Sequence, residues 1–375
     1  MRPRFFLPSF LAVLLAGCAN IAYVGQAAGG QAEVMNKSRP IGAVIDDPAT
    51  SPALADKLRL ARRIRAFAIS ALGLPDNASY TRYADLGRPY ALWNVVSTPP
   101  LSLQPTESCF PIAGCLAYRG YYVEADAQRY ADERRAAGED VFLYGIPAYS
   151  TLGWFNDPLL NTTARYDETA LARLIFHELA HQVVYVQDDS AFNEAFATAV
   201  ELEGFERWLA ERADPALEAG YRKAELRRAA FRALMEDGRR QLAAIYGSEA
   251  GENEKLEEKG RVLAALGERY AALKAEWGGY LGYDYWFAPL PNNAHFASQA
   301  TYHDKVPAWR ALFRSVGGDF PAFFAAARAL AQKNKATRDE TLAAVGVAAF
   351  SGERQQGAMT GIPADQGRRV SRDTR

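Results

Sequence analysis

Apolar residues recur at helical spacing through most of the chain. In residues 51–72 they stand three or four positions apart and Gly73 follows as a stop signal, which predicts a helix. The same spacing predicts further helices at 124–137, 167–186, 190–212 and, in several pieces, 292–345.

Two more segments with helical spacing are long and highly charged. They cover residues 221–246 and 253–277, and a short polar stretch at 247–252 separates them. A brief break between two long amphipathic segments is typical of an antiparallel pair, so the sequence predicts a helical hairpin over about 221–277.

Three segments ahead of these helices have the shorter pattern of strands. They are rich in aromatic and β-branched residues and cover 90–96, 116–123 and 140–149. The last contains Gly145 and Pro147, which suit an edge or bulged strand. The expected fold is therefore α+β and mostly helical, with a small sheet just ahead of the helix at 167–186.

The N-terminus has the pattern of an export signal. Arg2 and Arg4 precede an apolar stretch at 5–15 that is too short to span a bilayer. Leu15-Ala16-Gly17-Cys18 resembles the processing box of bacterial lipoproteins, which implies removal of residues 1–17 and lipid on Cys18. Ala rather than Asp follows Cys18, which under the same resemblance implies the periplasmic face of the outer membrane. The alternative is an ordinary secretory signal with an incidental cysteine.

The segments that flank the folded unit are weakly patterned. Residues 18–50 are rich in small residues, and the glycines of 25–30 disfavour regular structure, so a flexible tether is expected there. Residues 351–375 are polar and charged and are expected to be disordered. A single domain over 51–350 is left between them.

Charge and cysteine content narrow the choice of partner and compartment. The formal net charge is −1 and no basic stripe is present, which argues against a nucleic-acid partner. Cys109 and Cys115 are the only cysteines besides Cys18. Since an exported protein meets an oxidising compartment, these two are expected to form a small disulfide loop.

The strongest chemical signal is His177-Glu178-Leu179-Ala180-His181 in the helix predicted at 167–186. Histidines four residues apart lie one turn apart on the same face of a helix, so both can bind one metal ion. Glu178 lies to the side, where it can accept a proton from a water bound to that ion. Catalytic zinc takes three protein ligands and one water, so one Zn²⁺ and a third protein ligand are expected.

The next helix offers two acids as the third ligand. Glu194 and Glu201 are seven residues apart and share one helical face. Asn193-Glu194 followed by small residues resembles the glutamate-ligand helix of the thermolysin-like zinc peptidases, the gluzincins, which favours Glu194. Glu201 or Thr198 would then orient a histidine from behind. The reverse assignment, with Glu201 as the ligand, stays open.

Four segments together resemble a family of bacterial lipoproteins described as zinc aminopeptidases. They are AYSTLGWFNDPLL at 148–160, IFHELAHQVVYV at 175–186, FNEAFATAVE at 192–201 and NNAHFASQATYHD at 292–304. The resemblance implies a gluzincin-type catalytic domain with His177, His181 and Glu194 as zinc ligands and Glu178 as the catalytic base. The GxMEN-type segment with which the best-known zinc aminopeptidases hold the substrate's amine is missing from this chain.

Further candidates surround these residues. Peptidases of this class commonly bind the substrate backbone along an edge strand, and Gly145 and Tyr149 fit that position; an ordinary core strand is an equal alternative. Tyr302 and His303 are the preferred donors to the oxyanion of the tetrahedral intermediate, ahead of Tyr149 and His295.

The sequence therefore predicts hydrolysis of a peptide bond, in which Zn²⁺ polarises the carbonyl and Glu178 carries the proton to the leaving amine. The expected protein is a membrane-anchored aminopeptidase that acts on peptide substrates. Two alternatives stay open. One is a periplasmic zinc endopeptidase, and the other is a non-catalytic zinc-binding lipoprotein that acts as an interaction module.

Overall fold

The computed structural model describes residues 25–110, 114–149, 151, 156–299 and 305–346. Over these residues the chain is α+β and mostly helical, as the sequence predicts. The helices are α1 (25–37), α2 (Ile41–Ile45), α3 (Pro52–Ser70), α4 (Glu124–Ala136), α5 (Asn161–Ala164), α6 (Glu168–Ala180), α7 (Ser190–Arg212), α8 (Pro215–Tyr246), α9 (Glu252–Glu276), α10 (Asn293–Gln299), α11 (Val306–Ser315), α12 (Phe320–Ala331) and α13 (335–346), with a 3-10 turn at Asp284–Trp286.

The strands are short and form three small sheets. They are β1 (Ser38–Pro40), β2 (Arg82–Ala84), β3 (Leu92–Thr98), β4 (Ser108–Phe110), β5 (Gly114–Leu116), β6 (Arg119–Tyr121), β7 (Asp140–Ile146) and β8 (Leu159–Leu160). One sheet has the order β6-β3-β7 and is antiparallel, so β7 is an outer strand, as its Gly145 suggests. In the second, β1 runs antiparallel to β2 and β2 parallel to β8. The third pairs β4 with β5, and the disulfide between Cys109 and Cys115 joins them.

The β6-β3-β7 sheet is covered on both faces. Alternate side chains of a strand point to opposite faces, so neighbouring residues join different cores. Trp93, Val95 and Val141 pack with Ala127 and Ala131 of α4. Val96 and Phe142 instead pack with residues of α10 and of the antiparallel hairpin formed by α8 and α9. The predicted hairpin is therefore present and rests on the sheet.

The largest core lies among α3, α6, α7, α11 and α12. Helices α6 and α7 approach closely there, because Gly204 of α7 has no side chain. A Cβ at that position would lie 2.8 Å from Leu72 Cδ1 and 3.2 Å from Phe176 Cδ2. This close pairing holds the helix with both histidines against the helix with both candidate acids.

The expectation of a flexible tether over 18–50 is wrong for its described part. Residues 25–37 are helical, and β1 and α2 follow. Gly30 allows α1 to pack on the sheet, since a Cβ there would lie 2.1 Å from the Tyr122 ring. Gln26 donates to Gly120 O and accepts from Tyr122 N. Gly30 marks close packing, a long-range property that local propensity does not reveal.

Three boundaries also differ from prediction. Helix α6 ends at Ala180 instead of continuing to Val186, because the side chain of Asn193 binds the backbone of Val186 and turns the chain. The predicted strand 116–123 is divided between β5 and β6. Helix α8 begins at Pro215, where Asp214 caps it by accepting from Ala216 N and Leu217 N.

Among the described residues, no helix is both long and apolar enough to cross a bilayer.

A buried ion pair anchors the start of α7. Asp189 accepts from Phe192 N and from Arg338 of α13, and the Asp189 and Arg338 side chains are 2% and 8% exposed. Arg338→Met leaves the buried Asp189 carboxylate without this cation, and we expect the free energy of unfolding to fall by about 3–5 kcal/mol. Chemical denaturation measures this loss. Arg240→Met, which breaks only exposed pairs on α8, is the control and should cost less than about 1 kcal/mol. Equal losses in both variants would contradict this account.

Candidate metal centre

Helix α6 brings His177 and His181 together. Asp167 caps the helix by accepting from Ala170 N at 2.7 Å, and Leu171, Ile175 and Leu179 bury its apolar face. His181 is the residue that follows the last helical one and keeps helical backbone angles. The two Nε2 atoms therefore lie 3.2 Å apart.

Helix α7 supplies Glu194 from the opposite side. Asn193 fixes its first turn: the side chain of Asn193 accepts from Val186 N at 2.8 Å and donates to Val186 O at 2.7 Å. Glu194 Oε2 then lies 3.2 Å from His177 Nε2, and Glu194 Oε1 lies 3.6 Å from His181 Nε2. Three potential ligand atoms from two helices meet at one point.

The spacing and chemistry of these atoms fit zinc. Bonds of about 2.0–2.1 Å at tetrahedral angles place neighbouring ligand atoms about 3.3 Å apart. The two histidine Nε2 atoms are 3.2 Å apart, and the Glu194 carboxylate lies 3.2 Å from His177 Nε2 through Oε2 and 3.6 Å from His181 Nε2 through Oε1. Two imidazole nitrogens with one carboxylate are also a donor set that suits zinc, and three protein ligands leave a fourth position open.

Glu201 holds His177 from behind. Its Oε2 lies 3.0 Å from His177 Nδ1, so a carboxylate receives the Nδ1 proton. In the neutral imidazole this leaves the Nε2 lone pair pointing at Glu194 and His181. A lone pair facing a carboxylate and a second imidazole is favourable only with a proton or a cation among them. This is the arrangement of a ligand histidine with its orienting carboxylate.

The electrostatics of the cluster agree with that description. Burial alone would lower the pKa of His177, but hydrogen bonds to Glu194 and Glu201 raise it well above its ordinary value. Burial and the neighbouring His177 lower the pKa of His181 to about 4, so His181 is neutral at pH 7. Burial raises the pKa of Glu194, yet its hydrogen bond with His177 and its electrostatic interactions with His181 and His177 bring it below its ordinary value. His181 Nδ1 is buried and has no hydrogen-bond partner among the described residues.

Two residues that the sequence did not single out lie at this site. Arg173 of α6 binds Glu201, and Tyr80 lies within the electrostatic influence of Glu178. Burial and the charges of Glu178 and Asp157 raise the pKa of Tyr80 well above its ordinary value. The signal for Arg173 was available, since it lies four residues before His177 on the same helical face. The sequence contains no corresponding signal for Tyr80, because long-range packing places this residue at the site.

The segment that carries Tyr80 is fixed to the C-terminal end of α6. Asn77 Nδ2 donates to Gln182 Oε1 at 2.5 Å, and Gln182 Nε2 donates to Ser79 Oγ at 3.2 Å. Tyr80 itself has a φ of +60°, a conformation that non-glycine residues rarely adopt. Gln182 directly follows His181, so this segment borders the cluster.

Other candidate residues lie in packed surroundings. A Cβ at Gly145 would lie 2.1 Å from the Tyr90 ring, and the Tyr149 hydroxyl donates to Gln31 Oε1 of α1 at 2.6 Å. Such contacts are those of a packed strand, and a substrate role for Gly145 and Tyr149 stays a prediction. Thr198 forms no hydrogen bond with either histidine of α6 in the described part of the chain, and Glu201 occupies that position instead.

His295 belongs to the core between the sheet and the hairpin. Its ring stacks on Phe142 with 3.8 Å between centroids, and its Nδ1 accepts from Asn292 N. Burial lowers its pKa to about 3. Tyr302, His303 and Cys18 lie outside the described residues.

A family described as "Putative aminopeptidase" matches residues 22–342, and the chain belongs to this family. Neither a curated protein nor a solved structure matches the chain. The family assignment supports a peptidase activity in general terms.

The Asn193 side chain should be required for the turn between the two site helices. Asn193→Ala leaves Val186 N–H and C=O without their side-chain partner, and we expect the free energy of unfolding to fall by about 2 kcal/mol. Asn193→Asp can still accept from Val186 N–H but cannot donate to Val186 C=O, so it should also be destabilised. Ser190→Ala, at the exposed start of α7, is the control and should change stability by less than about 0.5 kcal/mol. Denaturant midpoints compare the three, and an unchanged Asn193→Ala would contradict the role of this turn.

Proposed function

We propose that the protein is a zinc-dependent peptidase of the gluzincin type, with an aminopeptidase preference. His177, His181 and Glu194 are its zinc ligands in this proposal. The observation that carries it is the convergence of two imidazoles and one carboxylate whose nearest polar atoms are 3.2–3.6 Å apart, with Glu201 hydrogen-bonded to His177 Nδ1. Family membership supports peptides as substrates.

The donor set favours zinc over the common hard cations. Calcium and magnesium prefer oxygen ligands, whereas two of the three groups here are imidazole nitrogens. The third is a single carboxylate. A structural zinc site would have four protein ligands, and among the described residues only three converge here. This count favours a catalytic site over the non-catalytic alternative.

The residues of the chain then have separate tasks. A bound Zn²⁺ would supply a Lewis acid for the scissile carbonyl and lower the pKa of the attacking water. Glu178, directly after His177 in α6, accepts a proton from the attacking water and delivers it to the leaving amine. Glu201 keeps the proton of His177 on Nδ1. Tyr302 and His303 are candidate donors to the developing oxyanion.

The cellular location is a separate part of the proposal. Leu15-Ala16-Gly17-Cys18 supports processing as a lipoprotein, with lipid on Cys18. Ala19 favours the periplasmic face of the outer membrane over the inner membrane. Peptides of the cell envelope would then be the accessible substrates.

Replacing the base should separate chemistry from metal binding. Glu178→Gln keeps the side-chain shape but cannot accept a proton, so zinc should stay bound while kcat falls by about 10³-fold. Metal content by atomic emission is compared with hydrolysis of a dipeptide with a free amino terminus and of its N-acetylated form. Wild-type cleavage of the free form alone supports an aminopeptidase. Equal cleavage of both forms would indicate an endopeptidase, and full activity of Glu178→Gln would exclude the mechanism.

Substitution of the acids of α7 should identify the third ligand. Glu194→Ala is expected to lose nearly all bound zinc, whereas Glu201→Ala should retain zinc with about 10–100-fold weaker affinity. Glu203→Ala is the matched control on the same helix, because Glu203 pairs with Arg310. Chelator competition measures the three affinities. Zinc that is retained in Glu194→Ala and lost in Glu201→Ala would reverse the two assignments.

A further inference from the structure

Four side chains of alternating charge lead from the helical hairpin to the metal centre. In order of contact they are Glu225 of α8, Arg173 of α6, Glu201 of α7 and His177 of α6, and we call these partly buried residues the ion-pair chain. Resting on the proposed function, we propose that Arg173 is a positioning residue. It holds Glu201 in place behind His177, and Glu225 anchors Arg173 in turn.

Both oxygens of Glu201 are occupied. Oε2 lies 3.0 Å from His177 Nδ1, and Oε1 accepts from Arg173 at 2.5 Å. The Arg173 and Glu201 side chains are 15% and 13% exposed, so both are largely shielded from bulk solvent. A glutamate held at one oxygen can still rotate about its terminal bond, whereas one held at both oxygens has a fixed plane. Arg173 therefore sets the direction from which Glu201 meets the imidazole.

Arg173 is itself held from the hairpin. Its Nη1 lies 2.8 Å from Glu225 Oε1. Arg228 Nε donates to the same Glu225 oxygen at 2.9 Å, which restricts that carboxylate. A guanidinium has donors on two edges and can bridge two carboxylates, which a lysine ammonium does with less defined geometry. Helix α8 is thus connected to a metal ligand through two ion pairs.

Close packing does not hold the side chains of the ion-pair chain in place. A cavity of about 740 Å³ lies between α6 and α8, and Arg173, His177 and Glu201 are among the residues that line it. Side chains that border open space gain little restraint from van der Waals contacts. The ion pairs must therefore supply the restraint on this side of His177. The same cavity lets a smaller side chain replace Arg173 without rearrangement of a packed core.

The test is the Zn²⁺ affinity of the full mature chain, measured by competition with a chelator. We expect Arg173→Gln to bind Zn²⁺ about tenfold more weakly than wild type, Arg173→Lys to be intermediate, and Glu225→Gln to lose affinity in the same direction. Co²⁺-loaded protein provides a second readout, since the visible absorption of Co²⁺ reports ligand geometry. Its bands should shift in Arg173→Gln. Arg310→Gln is the control, because it breaks a comparable ion pair with Glu203 of α7.

A double substitution tests whether Arg173 acts through Glu201. In a Glu201→Gln background, Arg173→Gln should cause no further loss of Zn²⁺ affinity, because the carboxylate it positions is gone. Losses that add would overturn the proposal, as would an Arg173→Gln protein within twofold of wild type. If Arg173→Gln fails to fold, Glu225→Gln at a less buried position decides the question by the same measurement. A wild type that binds no Zn²⁺ overturns the proposed function along with this inference. Zn²⁺ binding that is unaffected by these variants overturns this inference alone.

Discussion

The close approach of α6 and α7 is the constraint on which the site depends. Gly204 of α7 leaves room for the Phe176 side chain of α6, and Asn193 turns the chain between the two helices within nine residues, 181–189. With the helices so placed, a glutamate in the first turns of α7 lies opposite two histidines at the C-terminal end of α6. Small errors in either contact would move Glu194 by more than the tolerance of a coordination bond, which is about 0.2 Å.

The cluster of two histidines and two glutamates lowers the stability of the fold unless its charged groups have partners of opposite charge. Two carboxylates and two imidazoles lie together at a partly buried site, and such groups favour folding only when each has a partner. Arg173 neutralises Glu201, and the histidines face Glu194. Among the described residues, His181 Nδ1 has no hydrogen-bond partner, and this atom lies at the candidate site itself. Stability and site geometry therefore depend on the same ion pairs.

Much of this site follows from helical periodicity alone. A period of 3.6 residues places His177 beside His181 and Glu194 on the face of Glu201, and the structure brings all four together. Periodicity cannot show which turn connects the helices, so the sequence predicts that α6 ends at residue 186, whereas the helix ends six residues earlier, at Ala180. It also cannot show that position 30 requires glycine, because that requirement comes from the Tyr122 ring, which packs against Gly30 in the folded chain. Tyr80 and Glu225 reach the site through tertiary packing, which a single sequence does not encode locally.

The order in residues 25–45 changes how far the domain can lie from a membrane. Position 18 lies seven positions before the start of α1, and an extended chain spans at most about 3.3–3.6 Å per position. If Cys18 carries lipid as proposed, the start of α1 lies within about 25 Å of the anchor. A flexible segment as far as residue 50 would have allowed about 110 Å by the same measure. Peptides approaching a protein held so close to the lipid surface would have to enter from a restricted range of directions.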